Sequence, residues 1–400
     1  MSNTILTPAA VTRKALSILH QKLNFIGSIN RQYDDSFASS GAKIGDSLKI
    51  RLPNQYTVRS GAAIASNLDT VESSTTLQVA TQKGVDTTFT SAELTLSMDD
   101  FASRILEPAM SVLAANLEAD ALTMALDVYN NVNNVGSALN MAKTLAARKA
   151  LVDNLAPGSE RSLLLNTQDN VDLVDALKGL FQDSTEIGKQ YREGLVGRTA
   201  GFGSIYENTL LASQATGTAP SVTLYTTNGA TATGATGIVV QTGTATFKKG
   251  DCITIASVNR CHPETKADTG VLQGFVVTAD YAGGAGTVQI SPPIYGPTSL
   301  GKQNVVALPT GTNAIVKVGG ASAIYKPSLA FHKDAFTFAT ADLEDVSKYG
   351  AWGSRQSFDG ISMRIARQYA INTDTIPCRI DVLYGFKTIR AELACRILSN

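Results

Sequence analysis

Leu16, Leu19, Leu23 and Ile26 recur every three or four residues, which predicts a helix over 12–30 that ends at Gly27. From Ser47 the period changes to two. Leu48, Ile50 and Leu52 alternate with Lys49 and Arg51 up to Pro53, the pattern of a half-buried strand. Alternation resumes between Thr76 and Phe89 through Leu77, Val79 and Val85, while residues 54–75 hold few large apolar groups. Residues 41–90 therefore read as one long two-stranded excursion. Ser91 to Tyr129 carries the strongest helical signal, with Asp99 placed to cap Phe101–Leu106 and Pro108 suited to a first turn. An unbroken helix from Pro108 to Tyr129 would be about 33 Å long. A second helix is predicted over 139–155, before Pro157-Gly158, then a short strand at Arg161–Leu165. Asn166 or Asp169 would cap a third helix reaching Leu180.

Beyond a Gly-rich stretch at 184–206, the segment from Asn208 to Phe247 has no charged residue and is rich in Thr, Ala and Gly. It reads as a linker into a separate β module. Residues 221–324 are all-β in pattern. Phe247 to Asp251 makes a turn into a strand at Cys252–Val258, and Phe275–Tyr281 and Thr287–Ile290 form a hairpin around Gly283 to Gly286. Residues 328–346 and 361–397 alternate as strands of a mixed domain. Mixed segments on both sides of an all-β block indicate an α+β chain with one domain inserted in another.

Composition narrows the function. Hydrophobic residues make up 44% of the 400, so the chain can bury a core, and 34 basic residues balance 34 acidic ones. That balance argues against a dedicated nucleic-acid binder, though not against a protein that encloses DNA. There is no basic n-region, no apolar run near the roughly 20 residues of a membrane span, no Asn-x-Ser/Thr sequon, and only four cysteines. Together these favour synthesis in a reducing, bacterial-type cytoplasm. Charge is uneven along the chain. Residues 1–60 hold eight basic and three acidic residues, 8 − 3 = +5, and residues 61–130 hold two and ten, 2 − 10 = −8. The two segments are either solvated faces or complementary surfaces of neighbouring subunits.

Catalytic patterns are missing. His20, His262 and His332 lie in three separate regions, and Cys252, Cys261, Cys378 and Cys395 match no metal-ligand spacing. Gly296 to Lys302 resembles a phosphate-cradling loop, but Gln303 stands where a magnesium-binding hydroxyl belongs, and a strand rather than a helix is expected at Asn304–Leu308. Gly201-Phe202-Gly203 lacks the third glycine of a dinucleotide fingerprint and reads as a tight turn. Asp99-Asp100 and Glu344-Asp345 read as caps or solvated pairs. No catalytic residue, cofactor or metal is expected.

Five segments, in order, carry a resemblance. They are Phe89 to Phe101 followed by Pro108-Ala109; Leu163 to Asp169; Tyr191-Arg192-Glu193-Gly194 with Val196, Arg198, Gly201 and Phe202; Phe247 to Ile253 with Gly274 to Val277 and Val288 to Pro292; and Ala330 to Phe336 with Arg379 to Gly385. Over most of residues 40–397 the chain resembles the major coat proteins of P22-type tailed bacteriophages. The resemblance implies an HK97-like capsid fold with an inserted telokin-like, immunoglobulin-related domain. It implies an N-terminal arm at 1–40, an E-loop at 41–90, the spine helix, peripheral domain and first part of the axial domain at 91–220, the insertion at 221–324, and the rest of the axial domain at 325–400. Any arm beyond Leu398 is expected to be short or absent.

The function so implied is that of a non-enzymatic major capsid protein. Its copies would form hexamers and pentamers, assemble with scaffolding and portal proteins into a procapsid in the host cytoplasm, and expand as double-stranded DNA is packaged, with no membrane involved. Lys49, Arg51 and Arg59 would face Asp99, Asp100, Glu107, Glu118 and Asp120 of a neighbour. The alternatives are an encapsulin-type nanocompartment shell protein, a β-rich surface or glycan-binding adhesin, and a hydrolase; the last fails for lack of a nucleophile and base.

Overall fold

The computed structural model describes residues 8–33, 47–56, 58, 62, 74–89, 105–177, 199–241, 243–344, 346–350, 352–358, 360–372 and 375–399. The chain divides into two compact units. One comprises Met1–Arg51, Ser74–Leu122 and Phe336–Ile389; the other comprises Leu52–Ser73, Thr123–Ala335 and Arg390–Asn400.

The first unit is organised by one strand, Ile376–Thr388. It pairs antiparallel with Thr81–Phe89, with Ile361–Arg367 and with Phe336–Ala341. Trp352–Phe358 extends the sheet beyond Ile361–Arg367, and Asn30–Tyr33 adds in parallel beside Phe336–Ala341. The helices Pro8–Lys22 and Glu107–Leu122 pack on this sheet and on each other. Val11, Ala15 and Leu19 face inward from the first, and Met110, Leu113, Leu117 and Ala121 from the second, the three-to-four spacing of one helical face. The predicted helix over 12–30 is two helices, Pro8–Lys22 and Phe25–Ser28. The long helix is α-helical only to Leu122 and tightens into a 3-10 turn at Thr123–Asp127, a common way for a helix to end. Together these 21 residues are long and apolar enough to cross a membrane by length and composition, but the inward face is buried in protein.

Successive residues of Ile376–Thr388 serve opposite faces. On the helix side, the buried Tyr384 hydroxyl donates to Asp120, and Lys83 pairs with Asp120 at 2.7 Å. Burial and the Asp120 charge both push the Tyr384 hydroxyl's pKa up, so it remains a donor. On the other side, Asp381 is held by Arg364 at 2.7 Å and by Arg379 at 2.9 Å. Burial works to raise its pKa, but the two guanidinium groups outweigh burial and hold it below the usual carboxylate range.

The second unit contains two sheets. In the host sheet, Ser328–His332 lies between Ala394–Leu398 and Arg161–Leu165, flanked by Asn131–Asn133 and Ser204–Glu207. The three central strands are buried along their whole length. The helix Met141–Asp153 packs on them, and Thr167–Leu177 follows Arg161–Leu165. Asn166 caps this last helix: its Oδ1 accepts the Asp169 N–H at 2.7 Å, and its Nδ2 donates to the Asp169 carboxylate at 3.0 Å.

The second sheet has the order Ala235–Val240, Gly286–Ile294, Asp268–Val277, Cys252–Cys261, Ala314–Lys317, Tyr225–Thr226, all antiparallel. Its two ends meet. Thr227 bridges Val240, Asn228 N–H donates to Val239 O at 2.8 Å, and Gln241 N–H to Thr226 O at 3.0 Å. The six strands thus close into a barrel filled by Ile238, Ile253, Phe275, Val288 and Ile315 among others. The all-β reading of this block holds; its strands join in a ring, where an immunoglobulin-type sandwich would leave two separate sheets. The uncharged stretch is no linker. It supplies two barrel strands and the core residues Tyr225, Ile238, Val240 and Phe247, with the Tyr225 hydroxyl donating to Ala245 O at 2.6 Å. Gly250 has φ +93, and its N–H donates to Val277 O at 2.8 Å.

Two outcomes follow from these contacts. Asp381→Asn breaks a buried ion pair and should cost about 3 kcal/mol at pH 7. Because the folded pKa lies below the unfolded one, this stability is complete above about pH 4 and fades as pH falls through the folded value. Urea midpoints of wild type and variant should converge as the pH is lowered towards 3; a constant difference would contradict the assignment. Gly250→Val places a β-branched residue in left-handed backbone and should cost about 1–3 kcal/mol in urea melts of the full chain. An unchanged midpoint would show that glycine is not needed there.

Candidate assembly interface

Ser47–Arg51 pairs with Ser74–Gln78, Lys49 opposite Thr76 and Arg51 opposite Ser74. Two strands alone are marginal in water, so the hairpin depends on its base. Leu77 and Val79 are buried against Ala339, Ala341, Leu343 and Leu383, with Leu48 and Ile50 packed alongside. Lys387 Nζ donates to Thr76 O at 2.8 Å. The close approach needs Gly385: a Cβ there would overlap Gln78 O and lie 3.1 Å from Val79 Cα. The other face of the hairpin presents Lys49 and Arg51 to solvent. In the second unit, Tyr56 is 68% exposed and Val58 98% exposed.

The acidic residues expected opposite this face divide. Glu107 is exposed at the start of its helix. Glu118 is 3% exposed, and its Oε1 accepts the Phe25 N–H at 2.6 Å. Asp120 is engaged by Tyr384 and Lys83. Glu118 and Asp120 thus hold the helix within its own chain, contacts that the charge pattern did not indicate. The reason is helical phase: Glu118 follows Leu117 on the inward side, which a local charge count cannot register. Arg59, Asp99 and Asp100 lie outside the described residues, as does Tyr191 to Arg198.

Among the described residues, His262, His332 and the cysteines make structural contacts. His262 Nδ1 accepts the N–H groups of Glu264 at 3.3 Å and Thr265 at 3.2 Å, capping a turn. His332 is buried with Nδ1 accepting the Asp334 N–H at 3.2 Å. All four cysteines are buried, free thiols. Burial pushes Cys395 up to about 12 and Cys378 up to about 11, away from reactivity. Among the described residues no group of three or more His, Cys, Asp or Glu is placed to hold a metal. Pro297–Lys302 is a 3-10 turn, and Val305 makes only an isolated bridge to Arg260, so the strand expected there does not form.

No curated protein sequence matches the chain. Among solved structures it is similar to a chain from Mycobacterium phage Che8, 12% identical over 94% of this chain and 90% of that one, with a TM-score of 0.45. It is similar to a chain of the mature capsid of bacteriophage PhiM1, 10% identical over 94% and 87%, with a TM-score of 0.45. The CUS-3 coat protein I-domain is 27% identical, over 24% of this chain and 94% of that one, with a TM-score of 0.20. The family model described as P22 coat protein, gene protein 5, matches residues 27–397, nearly the whole sequence, and the chain belongs to the P22 coat protein family.

Proposed function

We propose that this chain is the major capsid protein of a tailed bacteriophage. Its copies form the hexamers and pentamers of an icosahedral procapsid, built in the host cytoplasm with scaffolding and portal proteins, which expands as double-stranded DNA is packaged. The observation that carries this reading is the family match over residues 27–397. Membership brings the HK97-like α+β fold class and a structural rather than enzymatic role. The five segments expected from the sequence are proposed as its domains: arm at 1–40, E-loop at 41–90, peripheral and axial parts at 91–220, insertion at 221–324 and axial return at 325–400.

The hairpin supports the reading physically. It is fixed at its base and charged on its open face, properties that suit an arm laid over a neighbouring copy. Such contacts are individually weak, so misplaced subunits can leave, yet they add up over a lattice. Lys49, Arg51 and Arg59 meet Glu107, Asp99 and Asp100 of the adjoining subunit. Glu118 and Asp120 are excluded from this set because they serve their own chain.

Electron microscopy of the protein expressed with its neighbouring phage genes should show closed, DNA-competent shells. A monomer under all conditions, or shells enclosing a cargo protein in place of DNA, would contradict the reading. Lys49→Glu should leave the subunit's melting curve unchanged. At about 0–1 kcal/mol per exposed pair, it should raise the concentration needed for assembly by up to about fivefold and flatten its salt dependence. Assembly at the normal rate with normal salt dependence would rule the pairing out.

A further inference from the structure

Beneath the barrel lies a buried polar cluster that the sequence patterns did not single out. Arg396 sits in the middle of the host-sheet strand Ala394–Leu398 and is fully buried. Its Nη1 donates to Gln214 Oε1 at 2.8 Å, and its Nη2 donates to Gly250 O at 2.9 Å and contacts Cys252 Sγ at 2.6 Å. Gln214 Nε2 donates to Gly250 O at 2.8 Å and to Asp251 Oδ1 at 3.3 Å. The buried Asp251 also accepts the N–H groups of Gly217 at 3.0 Å and Lys248 at 2.9 Å. Lys317, 2% exposed, donates to Gly217 O at 3.2 Å and Gly320 O at 2.7 Å. The chain's entry into the barrel and the turn before Cys252 therefore meet at one side chain of the host sheet, and Lys317 ties the exit to the entry segment at Gly217.

Stability alone is a poor reason for this cluster. Two buried cations and one buried carboxylate carry a desolvation cost, and well-packed apolar residues in such places are often as stable or more so. What an apolar contact lacks is direction: it tolerates sliding, whereas a planar guanidinium satisfies Gln214 and Gly250 together in only one orientation. Among the described residues, the strand pairing at this neck is the short one of Gln214–Ala215 with Ile324–Tyr325, too short to fix an angle by itself.

We propose that Arg396 is the positioning residue that fixes the seating of the barrel on its host sheet, and through it the geometry with which subunits join. The second half rests on the coat-protein reading; the first does not. Arg396→Met and Arg396→Lys, made in the full chain, separate the two. Seating is read in dissociated subunits from the rate at which maleimide labels each cysteine, located by peptide mass. Arg396→Met should label Cys252 at least tenfold faster while Cys261 and Cys378 stay as protected as in wild type. Loss of the cation alone would slow this thiol, because Arg396 offsets the upward push of burial; faster labelling therefore reports opening. Assembly is read by microscopy, where the variant's particles should lose their single diameter or grow as tubes. Wild-type protection of Cys252 together with uniform particles would overturn the proposal. If Arg396→Met exposes all four thiols, Arg396→Lys decides: it keeps the charge but not the fork, and should give faster Cys252 labelling and a broadened size distribution. Wild-type behaviour of Arg396→Lys would overturn the proposal, since charge alone would then suffice. Absence of particles from the wild type would remove the coat reading and leave the labelling test of seating in force.

Discussion

A single strand, Ile376–Thr388, must satisfy two different partners on its two faces, and the first unit is arranged around that requirement. Ile380, Val382 and Tyr384 face the helices, and Arg379, Asp381, Leu383 and Gly385 face the other way, as strand alternation dictates. The helix face is closed by apolar packing and by the Tyr384–Asp120–Lys83 contacts. The opposite face is divided between an ion-pair cluster around Asp381 and the base of the hairpin over Leu383 and Gly385. The arm thus starts from the most heavily paired strand of its unit, which gives it a stiff root while its charged face stays exposed.

The second unit meets a related problem differently. A barrel closed on itself has no free strand edge to extend the host sheet, so its join must be made by side chains and short connections. Arg396, Gln214 and Asp251 supply that join with directional bonds. The short strands and close turns of the uncharged stretch make the ring possible, and a Cβ on Gly217 would overlap Thr246 O.

Much of this was legible in the sequence, and the exceptions have physical causes. The alternation at 47–52 identified the hairpin strand and the outward side of Lys49 and Arg51. Arg161–Leu165, the helix near 141–153, the Asn166 cap and the turn at Gly250 were all visible because local patterns determine them. The stretch at 208–247 was misread because Thr, Ala and Gly look like loop until tertiary closure makes their few apolar residues a core. The contacts of Glu118 and Asp120 within their own chain are invisible to a charge count, because their partners, Phe25 and Tyr384, are distant in sequence. Arg396 gave no signal, since a lone arginine in an alternating strand is indistinguishable from a solvated one until the fold brings Gln214 and Gly250 to it.

Direct backbone contact on Gly385 holds the arm at its root, and Lys49 and Arg51 lie on its exposed face. Gly385→Ala tests it most directly, with amide hydrogen exchange at Leu77 and Val79 measured beside particle formation. Faster exchange is expected at these two positions, with unchanged protection of Ile380 and Val382 and a loss of closed particles. Unchanged exchange at Leu77 and Val79 with normal particles would contradict it.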